Sequence, residues 1–293
     1  MKRFNKINLE ISNICNLQCS FCPAVVRSPK LMDLTLFKKI LPQVSELTDQ
    51  VCFHLMGDPL VHPELSAMIE LCQELSVPIF FVTNGVLLKQ NFEKKLTLLL
   101  NPAIRQINFS LHSFADNFGD QDPTQYLERI FQYTDVALKQ RPDLYINYRL
   151  WNLQEPRSTT HSNQVMLQKI EARYAFSAHK QVDVTRAKSQ NITGRLYMHY
   201  DTEFTWPSLD LPVLGTKGTC YGMRSHIGIL VDGTVVPCCL DKEGAIPLGS
   251  LNELPLLEIL DSPRAQALLK GFQNHRLVED LCQRCQYIER FKA

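Results

Sequence analysis

The sequence predicts an α/β protein: a partial (β/α)6 TIM barrel followed by a small C-terminal α+β domain. Two observations predict the barrel. Short β-like runs alternate with helical stretches over the first two thirds of the chain, and polar residues recur at every second position within several of those runs. A third observation, a turn-centred hairpin among cysteines, predicts the separate C-terminal domain.

The predicted strands are six β-like runs bounded by turn residues. They are Lys6–Ser12, Val51–Gly57, Pro78–Thr83, Arg105–His112, Leu144–Trp151 and Gln181–Arg186. A closed barrel of this type has eight strands, so six predict an open one.

Helical stretches separate these strands, as parallel pairing requires. They lie near Leu34–Leu47, Pro63–Leu75, Leu87–Leu100, Thr124–Gln140 and Gln164–Tyr174. We expect Pro63 at the first position of its helix, where a missing backbone N–H costs nothing.

The alternating polar residues predict a cavity inside the barrel. They are Asn8, Glu10 and Ser12 in the first strand, Asn108, Ser110 and His112 in the fourth, and Asn147 and Arg149 in the fifth. Successive side chains of a strand point to opposite faces, so the apolar set meets the helices and the polar set lines the interior. An antiparallel sheet with one solvated face would alternate in the same way, but the intervening helices argue against it. Glu10, His54, His112 and Asp183 are candidate titratable groups of this interior, with no catalytic role assigned.

The pattern breaks up over residues 191–219, which contain Pro207 and Pro212, and we place the domain boundary there. The domains predicted are residues 1–205 and 206–293. In the second domain, Ile227–Val231 and Val235–Pro237 flank an Asp-Gly turn and predict a β-hairpin. Two helical stretches follow, near Leu254–Gly271 and Val278–Phe291.

The composition narrows the functional class. The net charge is only +1 and basic residues do not cluster, which argues against a dedicated DNA- or RNA-binding protein but leaves a structured RNA substrate open. No apolar run is long enough to span a membrane, and no signal-peptide pattern follows the N-terminus, so we expect a cytoplasmic protein. Ten cysteines in a reducing compartment indicate metal binding rather than disulfides. Of these, Cys52 and Cys72 are expected to be buried apolar residues.

Three of the cysteines, Cys15, Cys19 and Cys22, follow the first strand with the spacing C-x3-C-x2-C. Three thiolates on one short loop can hold three irons of a [4Fe–4S] cluster, which leaves the fourth iron open for chemistry. The alternative is a structural zinc site. Zinc requires a fourth ligand, which no neighbouring residue offers, although His54 or His112 could supply one after folding.

This loop, with aromatic Phe21 before its last cysteine, resembles the signature of the radical S-adenosylmethionine (SAM) superfamily. The resemblance implies that SAM binds the open iron and is cleaved reductively to methionine and a 5′-deoxyadenosyl radical, which removes a hydrogen atom from the substrate. It also implies a low-potential electron donor such as flavodoxin or ferredoxin.

Further positions resemble the family's SAM-binding elements. Met56-Gly57-Asp58-Pro59 is similar to the Gly-Gly-Glu-Pro element that receives the SAM amino group, with Met56 and Asp58 departing from it. The resemblance extends to Thr83-Asn84-Gly85 after the third strand and to Ser110 and His112 at the end of the fourth. It implies SAM-binding roles for Gly57, Asp58, Asn84, Ser110 and His112, and Arg149 could pair with the SAM carboxylate.

A second cysteine set lies near the C-terminus. It comprises Cys220, Cys238, Cys239, Cys282 and Cys285, the last two spaced C-x2-C. Spacing alone leaves zinc and iron–sulfur equally favoured. The stretch from Gly233 to Leu251 resembles the twitch domain, the shortened SPASM module of radical SAM enzymes, which implies an auxiliary [4Fe–4S] cluster on Cys220, Cys238, Cys282 and Cys285. Consecutive residues of a strand point apart, so only one of Cys238 and Cys239 should be a ligand, and the analogy favours Cys238.

The sequence therefore predicts a radical SAM oxidoreductase that acts on a small polar molecule, with the auxiliary cluster in electron transfer. A maturase of a ribosomally made peptide is the alternative. The entry into the first strand within about ten residues leaves little room for a leader-binding domain and argues modestly against it. A non-catalytic metal-binding or electron-transfer protein is a third possibility, which needs no SAM pocket.

Overall fold

A computed structural model describes residues 3–291. Residues 1–2 of the first predicted domain and residues 292–293 of the second lie outside the described residues. Its strands are β1 (Lys6–Leu9), β2 (Val51–Phe53), β3 (Ile79–Thr83), β4 (Ile104–Ser110), β5 (Tyr145–Leu153), β6 (Arg157–Thr159), β7 (Gln181–Asp183), β8 (Ser189–Thr193), β9 (Leu196–Thr202), β10 (His226–Ile229), β11 (Thr234–Val236) and β12 (Gly249–Ser250).

The helices alternate with the strands through most of the chain. They are α1 (Leu34–Leu47), α2 (Leu65–Glu74), α3 (Phe92–Leu99), α4 (His112–Phe118), α5 (Thr124–Gln140), α6 (Gln164–Tyr174), α7 (Leu256–Leu260), α8 (Pro263–Gln273) and α9 (Asp280–Gln283). Short 3₁₀ turns include Pro59–Val61, Val86–Lys89 and Gln286–Phe291.

The chain forms two compact units. The first comprises the residues up to Cys15, Phe21–Ile79 and the residues from Phe204 onward, and its strand order is β12-β11-β10-β1-β2. The second comprises Asn16–Ser20 and Phe80–Glu203, and its strand order is β3-β4-β5-β9-β8. In the first unit β1 pairs in parallel with both β2 and β10, and in the second β5 pairs in parallel with both β4 and β9.

The predicted fold class is confirmed, because each unit contains a strand that pairs in parallel with neighbours on both sides, and helices separate most of the strands. Over residues 3–291 the strands do not close into a barrel. Helices α1, α5 and α6 have the predicted bounds. Pro63, in contrast, precedes the Glu64 N-cap of α2 rather than opening the helix.

The prediction of the sixth strand was wrong. Gln181–Asp183 is β7, which pairs antiparallel with β6 in a separate two-stranded sheet. Asp183 there lies beside the exposed Arg157 and Arg186, so it does not belong to the predicted interior. The sixth strand of the parallel series is β9, which lies where the sequence pattern suggested a boundary.

The predicted hairpin is confirmed as β10 and β11, but β10 also pairs in parallel with β1. Each of the two predicted C-terminal helical stretches is interrupted. The first is divided by Ser262, which caps α8 by accepting a hydrogen bond from Ala265 N. The second consists of α9 and a 3₁₀ turn.

Polar side chains of the parallel strands are buried and hydrogen-bonded within each unit. Asn8 donates to the Ile227 carbonyl at 3.0 Å, and in the second unit Asn147 donates to Asn108 Oδ1 at 2.9 Å. Asn108 in turn donates to the Phe81 carbonyl at 3.0 Å. Part of the alternating polar pattern therefore serves cross-strand bonding, because buried amides need partners. Within residues 3–291, no helix is both long and apolar enough for a membrane crossing.

Candidate functional site

Helix α4 holds the middle of the three-cysteine loop in the second unit. Gln18 N donates to Asn117 Oδ1 at 2.8 Å, and Ser20 donates to Asp116 through both its backbone N–H and its hydroxyl, each at 2.5 Å. A loop on the surface would otherwise leave these backbone groups to water. The helix therefore fixes the conformation of the loop on both sides of Cys19.

Cys19 receives a hydrogen bond from the same helix. Asn117 Nδ2 lies 3.1 Å from Cys19 Sγ and 2.9 Å from the Ser113 carbonyl oxygen. Burial raises the pKa of the Cys19 thiol, and hydrogen bonds from Ser113 and Asn117 oppose that rise. Cys15 and Cys22 are exposed. The donor set fits an iron–sulfur cluster, since hydrogen bonds to ligand sulfur are one of the ways in which proteins tune such clusters.

We expect Asn117→Ala to lower the midpoint potential of a cluster bound to this loop. An N–H donor stabilises the extra negative charge of the reduced state, so its loss should lower the potential by about 20–60 mV, or about 0.5–1.4 kcal/mol for one electron. A redox titration followed by electron paramagnetic resonance measures the shift.

Asn117→Asp is the matched variant, because it keeps the oxygen that accepts from Gln18 while removing the amide donor. It should also lower the potential. Asn191→Ala, which removes an amide that donates only within its own turn, is the control. An unchanged potential in both Asn117 variants, at full iron content, would contradict the assignment.

Gly57 and Asp58 lie against the chain that leads into the three-cysteine loop. Gly57 has φ of +71°, and a Cβ there would lie 2.4 Å from the Ser12 carbonyl oxygen, so only glycine fits. Asp58 N donates to the Ile14 carbonyl at 3.0 Å, and the buried Asp58 side chain caps the following turn at Leu60 N. Both residues remain predicted SAM-binding positions.

Met56 stands where the similar Gly-Gly-Glu-Pro element has a glycine, and the packing around its side chain explains the difference. Its side chain is buried with Leu55, Leu230 and Val236 in an apolar cluster of the first unit. A glycine at this position would leave that space unfilled.

Three of the four predicted SAM-binding residues of the second unit lie at or near strand ends, and Arg149 lies in the middle of β5. Asn84 follows β3 and exchanges hydrogen bonds with Asn16, with Asn84 Nδ2 3.0 Å from Asn16 Oδ1. Ser110 ends β4 in register with Arg149 on β5. His112, predicted at the end of β4, instead begins α4, because the chain turns to helical backbone angles at Leu111.

His112 and Arg149 are coupled through the backbone. His112 Nδ1 lies 3.1 Å from the Arg149 carbonyl oxygen, and the Trp151 backbone N lies 3.4 Å from the same ring nitrogen. Burial lowers the pKa of His112 to about 4. The Arg149 guanidinium lies over the Trp151 ring, 4.2 Å from its centroid. This site therefore combines a neutral imidazole with a fixed cation.

Residues just beyond Cys22 are anchored inside the first unit by charged groups. Arg27 donates to the fully buried Glu10 at 2.7 Å and to the Lys242 carbonyl at 2.7 Å. Glu243 accepts from the backbone N–H groups of Val26 and Arg27 at 3.1 and 3.2 Å. Glu10, a candidate titratable group, is thus committed to an ion pair; burial raises its pKa while Arg27 opposes the rise.

The C-terminal thiols of the first unit interact electrostatically. Burial raises the pKa of Cys238, and the neighbouring Cys239, Cys220 and Cys282 raise it further. Cys285 has its pKa raised to about 11, mainly by burial, with contributions from Cys220 and Cys239. Partly buried thiols that destabilise one another's charge are suited to a metal group, because bound metal supplies the compensating positive charge.

Gly222 supports this fit. A Cβ at Gly222 would lie 3.6 Å from both Cys220 Sγ and the Cys238 Cβ, and Gly222 N donates to Cys220 Sγ at 3.3 Å. The backbone at Gly222 therefore lies beside two predicted ligands and supplies a hydrogen-bond donor to one of them. Both Cys238 and Cys239 are partly exposed, so the predicted preference for Cys238 stays a prediction. Over residues 3–291, no three His, Cys, Asp or Glu side chains converge in a way that would hold a single metal ion.

Three functional candidates were missed by sequence reasoning: Asn117, Trp151 and His199. Trp151 Nε1 donates to His199 Nδ1 at 2.9 Å. The period-two run Tyr197, His199, Asp201 was the available signal for β9. Asn117 carried no signal, because its partner Cys19 lies 98 residues away in the chain.

Two family models match parts of this chain. Residues 9–148 match the model of the radical SAM superfamily, and residues 220–286 match that of SPASM, an iron–sulfur cluster-binding domain. A curated relative, the S-adenosyl-L-methionine-dependent 2-deoxy-scyllo-inosamine dehydrogenase of Niallia circulans, is 31% identical over 164 residues. The match covers 50% of this chain and 62% of that relative, so it spans less than two thirds of the dehydrogenase.

Two solved structures share the fold. BtrN in complex with AdoMet and 2-DOIA gives a TM-score of 0.61 at 18% identity, over 98% of this chain and 94% of BtrN. SuiB of Streptococcus suis bound to the precursor peptide SuiA gives 0.60 at 14% identity, over 99% of this chain and 73% of SuiB. At these identities the likeness concerns the fold alone.

Proposed function

Because this chain belongs to the radical SAM superfamily and carries a C-terminal SPASM domain, we propose that it is an oxidoreductase that removes hydrogen from a small polar substrate. The first domain brings SAM and a [4Fe–4S] cluster, and the SPASM domain brings auxiliary iron–sulfur binding. When bound, SAM with its cluster supplies the radical that takes a substrate hydrogen atom, and the auxiliary cluster supplies an acceptor for the electron that leaves as the substrate loses a proton.

The chain's residues divide these tasks. Cys15, Cys19 and Cys22 would hold three irons of the first cluster. Gly57, Asp58, Asn84, Ser110, His112 and Arg149 would bind and orient SAM. The neutral His112 adds no second positive charge beside Arg149, which leaves the guanidinium able to bind a carboxylate.

The observation that carries the proposal is the number of thiols in the C-terminal group. Cys220, Cys238, Cys282 and Cys285 suffice for the four irons of one cluster, which leaves no iron open to substrate. A saturated cluster is suited to electron transfer rather than to substrate binding, as an oxidation requires. The similarity to a dehydrogenase favours the same reaction type.

The substrate and partners are further parts of the proposal. The dehydrogenase's name specifies a small amino-cyclitol, which favours a small polar molecule over a peptide here. A peptide substrate is the competing proposal. We also propose a low-potential electron donor and a cytoplasmic location, in keeping with the ten cysteines.

Metal analysis and isotope transfer test the proposal together. Anaerobically reconstituted protein should hold about eight irons and eight sulfides per chain and no zinc. With SAM and reductant, deuterium should then move into 5′-deoxyadenosine from carbon-deuterated amino-cyclitols or polyols. Transfer only from deuterated peptides would establish the competing function, and about four irons with one zinc would remove the electron-transfer role.

A further inference from the structure

His199 lies on β9, opposite Arg149 of β5 in the parallel register. The neighbouring residues Leu196, Met198 and Tyr200 are buried at 0–1% exposure, whereas His199 alternates with them and is only partly buried. Paired residues of adjacent strands project from the same face of a sheet. His199 therefore shares a face with Arg149, in the middle of two neighbouring strands.

Trp151 determines which nitrogen of His199 carries the proton. The indole N–H is only a donor, and it lies 2.9 Å from His199 Nδ1, so Nδ1 must be the unprotonated, accepting nitrogen. In a neutral imidazole the proton is then on Nε2. Doubly protonated histidine would lose this hydrogen bond.

The charges around His199 favour the same neutral form. Burial lowers the pKa of His199 to about 4, Arg149 and Lys188 lower it as well, and Asp201 opposes them. The Asp201 carboxylate is itself occupied, since it accepts from Lys188 Nζ at 2.8 Å and from Thr202 N at 2.9 Å. His199 is thus a neutral hydrogen-bond donor at neutral pH.

The proton on Nε2 has no acceptor in the part of the chain that the structure describes: the only hydrogen bond of the His199 ring is the one from Trp151 to Nδ1. The same indole ring lies under the Arg149 guanidinium at 4.2 Å. One aromatic side chain therefore fixes both a cation and a neutral donor on one face. The His199 Nε2–H group is oriented by Trp151 and only partly buried, so it is suited to bind a ligand atom.

We propose that His199 is a substrate-binding residue whose Nε2–H donates to an oxygen of the substrate, a hydroxyl or a carboxylate, beside Arg149. The occupant's identity as substrate rests on the proposed function; the donor site itself does not. SAM also carries hydroxyl and carboxylate oxygens, so the test must distinguish binding of the substrate from binding of SAM.

Two substitutions isolate the donor. His199→Phe keeps a planar ring of similar size and removes the N–H, while His199→Gln keeps a neutral donor. His179→Phe, at an exposed histidine of the same unit, is the control. Nitrogen-15 NMR of labelled wild-type protein should show His199 protonated on Nε2 and neutral at pH 7.

Binding of two probes is then measured by isothermal titration of reconstituted protein with saturating SAM: myo-inositol, which offers only hydroxyls, and galacturonate, which adds a carboxylate. At least one should bind the wild type, and His199→Phe should weaken it about tenfold or more, with His199→Gln losing less than about threefold. The SAM dissociation constant should stay within about twofold in every variant.

Three results would overturn the inference. The wild type could bind neither probe, or His199→Phe could bind the probes as tightly as the control His179→Phe does. In the third, His199→Phe would weaken SAM binding by the same factor as probe binding. The last would assign His199 to SAM. If the probe binds through His199 but never donates deuterium to 5′-deoxyadenosine, the subsite stands and the proposed oxidation of such molecules fails.

Discussion

Replacing Cys19 by alanine is expected to abolish reductive cleavage of SAM. Two cysteines cannot hold three irons of a [4Fe–4S] cluster, so the iron content of reconstituted protein should fall from about eight to about four per chain. The formation of 5′-deoxyadenosine with dithionite should fall by about 100-fold or more, because the cofactor supplies all of the difficult chemistry. Both quantities are measured on the same anaerobic sample, by metal analysis and by liquid chromatography.

Cys72→Ala is the matched control for this prediction. Cys72 is fully buried in α2, where burial raises the pKa of its thiol, and it belongs to neither cysteine set. Its replacement by alanine removes one buried sulfur and should leave iron content and SAM cleavage unchanged. Normal production of 5′-deoxyadenosine by Cys19→Ala would refute the assignment of this loop.

Local sequence signals predicted the elements whose residues interact with near neighbours in the chain. Helices α1 and α5 had their predicted bounds because an apolar face repeats at helical spacing along each of them. The hairpin of β10 and β11 was predicted because Asp-Gly favours the turn between them. The three-cysteine loop was recognised from its spacing and from Phe21 before its last cysteine, since these residues all lie within eight positions.

Errors arose where contacts distant in sequence decide the structure. Strand β9 contains Tyr197, His199 and Asp201, and it is a strand because β5 pairs with it across some fifty intervening residues. The run Gln181–Asp183 has similar local character, yet it pairs with β6 instead. Propensity could not choose between these two runs, because strand formation depends on the available partner.

The same limit explains the missed helix α4. Its first residues, His112 and Ser113, continue the alternation of β4, and only the turn at Leu111 separates them. The helix then supplies Asn117 to the three-cysteine loop. A seven-residue helix with a single apolar pair at helical spacing, Phe114 and Phe118, gives little periodicity, so neither the helix nor its role could be predicted.

The double variant Cys282→Ala and Cys285→Ala is expected to separate SAM cleavage from oxidation. Loss of two ligands should remove the auxiliary cluster, with iron again falling from about eight to about four per chain. SAM cleavage without substrate should remain within about threefold of wild type, because Cys15, Cys19 and Cys22 are intact. Oxidised product, measured with whichever substrate transfers deuterium in the wild type, should fall by about tenfold or more.

A correctly folded variant is required for this interpretation, since β10 of the SPASM region pairs with β1 of the same unit. Cys239→Ala is the matched control: its thiol is near Cys238 and Cys220 but is not a predicted ligand. It should keep eight irons and full product formation. If it loses four irons instead, Cys239 rather than Cys238 is the ligand.

The deuterium distribution in the double variant decides what the auxiliary cluster does. Removal of a hydrogen atom oxidises the substrate by one electron only, so a second electron must leave before a two-electron product exists. Without an acceptor, deuterium should still reach 5′-deoxyadenosine while oxidised product is lost. Loss of both signals with normal substrate-free SAM cleavage would show that the C-terminal group positions the substrate instead, and wild-type levels of both would show that electrons leave by another route.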